Sequence, residues 1–408
     1  MAQIARSIET FGFTNPVLID EADRIIAGHG RVQAAKTLGM THVPVLLLEG
    51  LSDADRRAYI IADNRLAETA GWDRELLGLE LADLTQLVPD MDLSVIGFEA
   101  AELEALMNGV GPVDIVETPA QGDEDSKPLV TRPGDTWQLG RHRLICGDST
   151  KPETFVALMQ DEMAQMVFTD APYNVPVNGH IGGLGKVKHK EFVMASGEMS
   201  QREFTDFLTR VMINLARHSS DGSIHYHCMD WRHMAEMLAA GEEAYASLKN
   251  LVVWNKDNGG MGSFYRSKHE LIFVFKKGST AHINNFELGQ HGRYRTNVWD
   301  YAGVNSMHAQ RTEELAMHPT VKPVAMVADA MLDCSRRGGI VLDAFSGSGT
   351  TIMAAEETGR AARAVEMDPL YVDVAVRRWQ KHTQKQAVLA GSELTFDAIE
   401  KAVGEIDL

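Results

Sequence analysis

Residues 167–174 read VFTDAPYN, an apolar run that stops at a carboxylate followed by proline, an aromatic ring and an amide. Such a run predicts a buried strand, and the proline predicts an extended turn after it. Asp170 and Tyr173 are therefore expected at the rim of a sheet. Residues 340–342 form a second apolar run that ends at Asp343, and a glycine-rich turn then opens a helix. Two strands that end in acids predict a site with two halves, one at Asp170 and one at Asp343, and each is called a half-site below.

The first half-site suits chemistry on a nucleobase amine. The lone pair of an exocyclic amine is delocalised into the ring, and hydrogen-bond acceptors aimed at its protons make the nitrogen more nucleophilic. The expected acceptors are the carboxylate of Asp170 and the carbonyl of Ala171, because Pro172 biases Ala171 towards an extended backbone. Tyr173 is expected to stack on a base flipped out of a duplex.

These residues resemble a known family. Residues 170–173 (DAPY) resemble the Asp-Pro-Pro-Tyr catalytic motif of S-adenosylmethionine-dependent DNA amino-methyltransferases, with Ala171 where proline is usual. Residues 343–349 (DAFSGSG) resemble the family's cofactor loop, and residues 318–323 (HPTVKP) resemble a motif of its beta-type members. A catalytic motif that precedes the cofactor loop is the beta-type order. The resemblance covers residues 131–385.

The resemblance implies a set of S-adenosylmethionine ligands. Thr320 and Lys322 would hold the methionine carboxylate beside a helix N-terminus, and Glu366 would bind both ribose hydroxyls. Asp148 would contact the adenine, although a simple turn aspartate is the competing interpretation. The predicted cofactor-binding residues are Asp148, His318, Thr320, Lys322, Asp343, Phe345, Gly347, Gly349, Thr350 and Glu366. The turn lacks the third glycine of the dinucleotide fingerprint, which disfavours a redox enzyme.

The charge distribution indicates where DNA would bind. The net charge is −18, and residues 1–130 hold nine basic and 23 acidic residues, whereas residues 249–295 hold eight basic and three acidic ones. Phosphate contacts are expected in the second segment. A glycine- and lysine-rich loop at residues 178–190 is expected either to close over DNA or to be a surface insertion. The predicted DNA-binding residues are Lys186, Lys188, Lys190, Lys256, Arg266, Lys268, Arg293 and Arg295.

The first 50 residues predict a small α+β unit. Helices are expected at residues 4–11 and 31–38, and strands at residues 16–19, 25–27 and 43–48. This pattern resembles the ParB N-terminal domain, whose glycine-arginine turn binds nucleotide phosphates. In this chain the resemblance places the nucleotide at Arg31, and a structural turn there is the alternative interpretation.

The length of 408 residues predicts more than one domain. We expect a ParB-like domain at residues 1–110, an acidic proline-rich linker at 111–130, a methyltransferase domain at 131–385 with target recognition within 178–316, and an acidic tail at 386–408. The expected fold class is α/β, a Rossmann-like doubly wound methyltransferase sheet with a smaller α+β ParB-like N-terminal domain.

The spacing of cysteine and histidine and the length of the apolar runs exclude several classes of protein. Three scattered cysteines fit neither a disulfide framework nor a zinc site, and the histidines lack metal-ligand spacing, so no metal is expected. No apolar run approaches the ~20 residues that a bilayer requires. We therefore expect a cytoplasmic protein with no membrane partner.

The expected function is methyl transfer from S-adenosylmethionine to adenine N6 in double-stranded DNA, as in restriction-modification. Cytosine-N4 methylation is the first alternative, although members of that kind usually begin the catalytic motif with serine. The second is a nucleotide-switched DNA-binding protein with a degenerate methyltransferase body. Beta-type relatives are often dimers, so a homodimer is one expected state.

Overall fold

The computed structural model describes residues 2–52, 55–56, 58–60, 77–78, 81, 84, 103, 106, 127–174, 197–257, 259, 264–286, 295–303 and 322–406. The chain divides into two compact units, Met1–Val110 and Gly111–Leu408. Within the described residues, no helix is long and apolar enough to span a bilayer. The same residues contain no group of three or more potential metal ligands.

Residues 2–47 of the smaller unit form a three-stranded sheet and two helices. Its elements are α1 (Ala2–Phe11), β1 (Val17–Ile19), β2 (Ile25–Ala27), α2 (His29–Thr37) and β3 (Val45–Leu47). β1 lies in the middle, antiparallel to β2 and parallel to β3. Gly28 has a φ of 98°, a left-handed conformation that favours glycine, and α2 begins directly after it. The predicted small α+β unit is present, and α2 begins two residues earlier than expected.

The larger unit is built on a ten-stranded sheet. Its strands are β4 (Thr136–Leu139), β5 (His142–Cys146), β6 (Ala164–Asp170), β7 (Ser219–Met229), β8 (Ser247–Asn255), β9 (His269–Lys276), β10 (Val298–Asp300), β11 (Ile340–Asp343), β12 (Ala361–Glu366) and β13 (Val388–Leu389). Their order is β10-β8-β9-β7-β6-β11-β12-β5-β4-β13. The strands from β7 to β5 are parallel, and β9 and β4 run antiparallel to their neighbours.

Helices cover both faces of this sheet. They are α3 (Pro152–Met159), α4 (Gln201–Arg217), α5 (Met234–Ala244), α6 (Val324–Cys334), α7 (Thr350–Glu357), α8 (Pro369–Thr383) and α9 (Phe396–Ile406). Side chains of the central strands alternate between two buried clusters: Met166 and Phe168 pack with α6 to α8, and Val167 packs with α3 to α5. Strands buried on both faces explain the continuous apolar runs in the sequence. The prediction of a doubly wound α/β sheet is confirmed.

β6 and β11 lie side by side in the middle of the sheet, with Val341 paired with Met166. From β6 the chain passes through α4 to β7 on one side, and from β11 it passes through α7 to β12 on the other. This reversal is a topological switch point, where open α/β sheets bind ligands outside the carboxyl ends of their strands. Asp170 and Asp343 end these two strands, so the two predicted half-sites are neighbours.

The C-terminal residues differ from the expected acidic tail. β13 pairs antiparallel with β4, and the fully buried Phe396 of α9 packs edge-on against Trp137, with ring centroids 5.1 Å apart. Arg377 of α8 contacts Glu400 at 2.7 Å. A single apolar ring in an acidic segment was too weak a signal to predict this packing.

Candidate active site

Acidic side chains gather at the carboxyl edge of the parallel strands. Asp170, Asp343 and Glu366 end β6, β11 and β12, and Asp148 follows β5 by two residues. Glu270 is the second residue of β9, and it reaches the same edge because β9 runs antiparallel to β7. Glu270 could not be identified from the sequence, because the direction of β9 decides where this acid lies.

The carboxylate of Asp170 lies in a compact cluster of charged side chains. The Tyr173 hydroxyl donates a hydrogen bond to Asp170 Oδ1 at 2.9 Å, and Lys322 Nζ donates to Asp170 Oδ2 at 2.5 Å. Lys322 Nζ also lies 3.2 Å from Glu270 Oε2, and Lys256 Nζ contacts Glu270 Oε1. Two carboxylates are thus balanced by two ammonium groups.

Burial and neighbouring charges set the protonation of this cluster. Burial raises the pKa of Asp170, although the Lys322 ammonium opposes that rise. Burial also favours the neutral form of Glu270, but Lys322 and Lys256 outweigh it and lower the pKa of Glu270 to about 2. Burial raises the pKa of Tyr173, so its phenol remains a hydrogen-bond donor at neutral pH.

Aromatic rings and an anchored turn surround the cluster. Lys322 Nζ lies 5.4 Å from the Tyr173 ring centroid and 5.8 Å from that of Trp254. Asn174, with a φ of 52°, accepts hydrogen bonds at Oδ1 from the amides of Gly197 and Met199. Asparagine tolerates this left-handed conformation better than most residues. Asn174 therefore holds the turn after β6 against the segment that leads into α4.

Asp343 has quite different partners. Its Oδ1 accepts from the Thr169 hydroxyl and from the Phe345 amide, both at 3.0 Å, and its Oδ2 accepts from the Thr351 hydroxyl at 2.6 Å. Burial raises the pKa of Asp343 to about 6. Every one of these donors belongs to β6, to the glycine-rich loop or to α7, so Asp343 braces the loop from inside.

Glu366 lies where the glycine-rich loop meets β12. Its Oε2 accepts from the Gly347 amide at 2.8 Å and its Oε1 accepts from the Asp368 amide at 2.9 Å. Burial raises the pKa of Glu366 to about 7. The amide of Gly147 donates to the carbonyl of Glu366 at 2.8 Å, which brings the turn that carries Asp148 beside this acid.

Backbone geometry at the loop requires glycine. Gly349 has a φ of 85°, and a Cβ added there would lie 2.9 Å from Ala375 Cβ. Thr350 is buried at the first position of α7. Among the described residues, nothing forms a hydrogen bond with the buried hydroxyl of Ser346. Sequence analysis did not identify Ser346, nor Arg378, whose buried guanidinium donates to the Ser348 carbonyl at 3.2 Å.

Asp148 has the contacts of a turn aspartate. Its Oδ1 accepts from the amide and the hydroxyl of Thr150, at 2.8 and 2.7 Å. Its Oδ2 lies 3.9 Å from Lys151 Nζ. The adenine contact that the resemblance implies for Asp148 stays a prediction.

Other predicted site residues are placed as follows. Lys322 contacts Asp170, and the contact with the methionine carboxylate that the resemblance implies for it stays a prediction. His318, Thr320, Lys186, Lys188, Lys190 and Arg293 lie outside the described residues. Arg295 contacts Asp333 at 2.9 Å and Asp329 at 3.8 Å, and its side chain is 16% exposed. These two ion pairs and the low exposure argue against a DNA contact by Arg295. Counting charges in residues 249–295 could not reveal them, because both acidic partners lie in α6.

The segment between β8 and β9 presents an aromatic pair at the same edge. Phe264 and Tyr265 are 85% and 81% exposed, and their ring centroids lie 4.5 Å apart. Arg266 and Lys268 follow them and are exposed. Because the amide of Lys256 donates to the carbonyl of Lys268 at 2.9 Å, the segment is closed at its base beside Glu270.

Three family models match the chain. One described as DNA methylase matches residues 164–377, one described as the ParB-methyltransferase HTH domain matches 75–133, and one described as the ParB N-terminal domain matches 1–64. Both resemblances predicted from the sequence are confirmed. The helix-turn-helix domain was not predicted, and its match overlaps the segment 111–130 that was expected to be a linker.

Curated relatives resemble separate parts of the chain. The ParB-like nuclease domain-containing protein YnaK of Escherichia coli (strain K12) is 58% identical over 57 residues, 14% of this chain and 66% of YnaK. The type II methyltransferase M.ScaI of Streptomyces caespitosus is 34% identical over 23% of this chain and 31% of that protein. The DNA adenine methyltransferase YhdJ of E. coli (strain K12) is 25% identical over 53% of this chain and 76% of YhdJ. The chain thus spans less than two thirds of the first two relatives.

Proposed function

The chain belongs to the DNA methylase family, whose model matches more than half of its residues, and we propose that it methylates N6 of adenine in double-stranded DNA. One observation carries the proposal: a half-buried aspartate and an aromatic ring lie at the switch point of the sheet, next to a braced glycine-rich loop. The enzyme would act in the cytoplasm, where its DNA substrate is found.

Asp170 and Tyr173 are the proposed catalytic residues, together with the turn formed by Ala171 and Pro172. Asp170 accepts hydrogen bonds from the target amine and stabilises the positive charge that develops on its nitrogen during transfer. The Tyr173 ring, oriented by its hydroxyl bond to Asp170, supports the flipped base. Catalysis in this arrangement consists mainly of orienting the amine for in-line transfer.

The glycine-rich loop fits S-adenosylmethionine, which supplies an electrophilic methyl group when bound. The Glu366 carboxylate, the close-packed Gly349 backbone and the buried Ser346 hydroxyl fit a ligand that carries ribose hydroxyls, since no described residue bonds that hydroxyl. Phe345, Gly347 and Thr350 complete this side of the proposed site. Asp343 would act on the cofactor through the loop, because its oxygens accept from Thr169, Phe345 and Thr351.

Cytosine-N4 methylation is the alternative activity. The same acceptors could orient a cytosine amine, but the motif begins with Asp170 rather than serine. The relative YhdJ is a DNA adenine methyltransferase by name, which also supports adenine as the target base.

The smaller unit is proposed to bind a nucleotide at Arg31. Its Nε is buried and has no hydrogen-bond partner among the described residues, and its guanidinium packs against the backbone of Gly28. An arginine at the start of a helix suits a phosphate. A homodimer also stays a proposal.

Methylation with a labelled cofactor tests the activity and the base together. The purified protein is incubated with tritiated S-adenosylmethionine and duplexes of varied sequence, and the DNA is then digested to nucleosides. Label in N6-methyladenine is the expected result. Label in N4-methylcytosine would overturn the base assignment, and cofactor binding without transfer to any duplex would overturn the activity.

A further inference from the structure

Lys322 lies where the proposed function requires the target amine. Its Nζ is 2.5 Å from Asp170 Oδ2 and 5.4 Å from the centroid of the Tyr173 ring. An ammonium on this carboxylate, over this ring, offers the same N–H donors as the exocyclic amine of a stacked base. Since the Tyr173 hydroxyl bonds the other oxygen of Asp170, the ammonium and the amine compete for one acceptor.

Glu270 offers Lys322 a second partner. Lys322 Nζ is already 3.2 Å from Glu270 Oε2, and the side chain of Lys322 is only 5% exposed. A buried ammonium that loses its counter-charge is strongly destabilised, so it can leave Asp170 only if another carboxylate receives it. A move from Asp170 to Glu270 keeps the cation paired throughout.

Lys256 holds Glu270 in position for this exchange. Its Nζ contacts Glu270 Oε1 and lies 4.5 Å from the centroid of the Trp254 ring. Glu270 Oε2 faces Lys322 and lies 3.0 Å from the Tyr173 hydroxyl. One oxygen is therefore anchored and the other is directed at the shared cation.

We propose that Lys322 occupies the amine position on Asp170 in the DNA-free protein, and that Glu270 is a positioning residue that takes the ammonium when the base enters. The inference rests on the proposed methyltransferase function. Base entry is then an exchange of donors on Asp170, with no change in the net charge of the cluster.

Removing the charge of Glu270 should trap Lys322 on Asp170. In Glu270→Gln the amine must displace an ammonium that has no second carboxylate, and we expect kcat/KM for DNA to fall by at least about tenfold. Adding Lys322→Met removes the competitor, so the double variant Glu270→Gln/Lys322→Met should recover at least about threefold over Glu270→Gln alone.

A matched double variant separates competition from charge balance. Glu270→Gln/Lys256→Met has the same net charge as Glu270→Gln/Lys322→Met but leaves Lys322 on Asp170. We expect it to stay as slow as Glu270→Gln. Equal recovery in the two double variants would overturn the inference, because charge balance alone would then explain the rescue.

Initial rates against DNA concentration, at saturating cofactor, give kcat and KM for these variants, and titration gives cofactor affinity. Lys322→Met should keep the cofactor affinity of the wild type, and a loss of that affinity would overturn the proposal by placing Lys322 at the cofactor. Glu270→Asp keeps the charge, so its kcat/KM for DNA should exceed that of Glu270→Gln; an equal loss in the two variants would also overturn the proposal.

The failure of this inference can be distinguished from the failure of the proposed function. If the wild type methylates DNA and Glu270→Gln/Lys322→Met shows no rescue, only this inference fails. A wild type that methylates no duplex overturns the proposed function, on which this inference rests.

Discussion

The acids that end β6 and β11 follow the same kind of apolar run and have different surroundings. Asp170 is bonded by the side chains of Tyr173 and Lys322, the second of which is long and already shared with Glu270. Asp343 is bonded by short hydroxyls and a main-chain amide. Long side chains can exchange partners, whereas donors fixed to strands and helices cannot. Asp170 is therefore suited to receive a substrate and Asp343 to brace a loop.

The largest expected effect comes from removing the acceptor. Asp170→Ala should lower the methylation rate by about a thousandfold or more, since an interaction aimed at developing charge is lost. Cofactor affinity should stay near that of the wild type, because Glu366 and the glycine-rich loop are the residues proposed to hold the cofactor. Methylation assays and equilibrium titration check this division, and a cofactor affinity that fell as far as the rate would contradict it.

The reverse result is expected at the other half-site. Glu366→Ala should weaken cofactor binding by about tenfold to a hundredfold, the range for lost hydrogen bonds to a charged group. The rate at saturating cofactor should fall less. Titration of the isosteric Glu366→Gln provides the control for packing. An unchanged affinity together with a lost rate would mean that the two half-sites had been assigned to the wrong acids.

Asp343 should affect stability in a pH-dependent way. Burial raises its pKa from 3.8 to about 6, so the folded protein binds this proton more tightly than the unfolded chain. Its contribution to the free energy of unfolding is largest below about pH 4 and falls as the pH rises to about 6. The stability of the wild type relative to Asp343→Asn should therefore fall by on the order of 2–3 kcal/mol as the pH rises across this range. Urea unfolding at several pH values measures this change, and a difference that stays constant would contradict the raised pKa of Asp343.

The smallest expected effect is the loss of one donor to that brace. Thr351→Val removes the hydroxyl that donates to Asp343 Oδ2 and should cost about 1 kcal/mol of stability. Thr358→Val is a matched control, because Thr358, the residue after α7, is also buried but donates to the Ala354 carbonyl of that helix. Only Thr351→Val should also weaken cofactor binding. Equal cofactor affinities in the two variants would show that the loop does not depend on this bond.

Local pattern was sufficient for much of the fold. Both Asp170 and Asp343 end strands, as the apolar runs before them indicated. These features depend on hydrophobic run length, on glycine and proline at the turns, and on charges next to them. All of these act over a few residues and can be read from one segment at a time.

Pairing between distant segments decided the rest. Glu270 joins Asp170 because β9 runs antiparallel, Lys322 arrives from a segment 152 residues away, and Arg295 is occupied by acids of α6. The sequence by itself determined which strands end in acids and which turn needs glycine. Only the tertiary structure decided which carboxylate shares a cation and which one braces a loop, because the energy of a buried charge depends on the partners that folding brings to it.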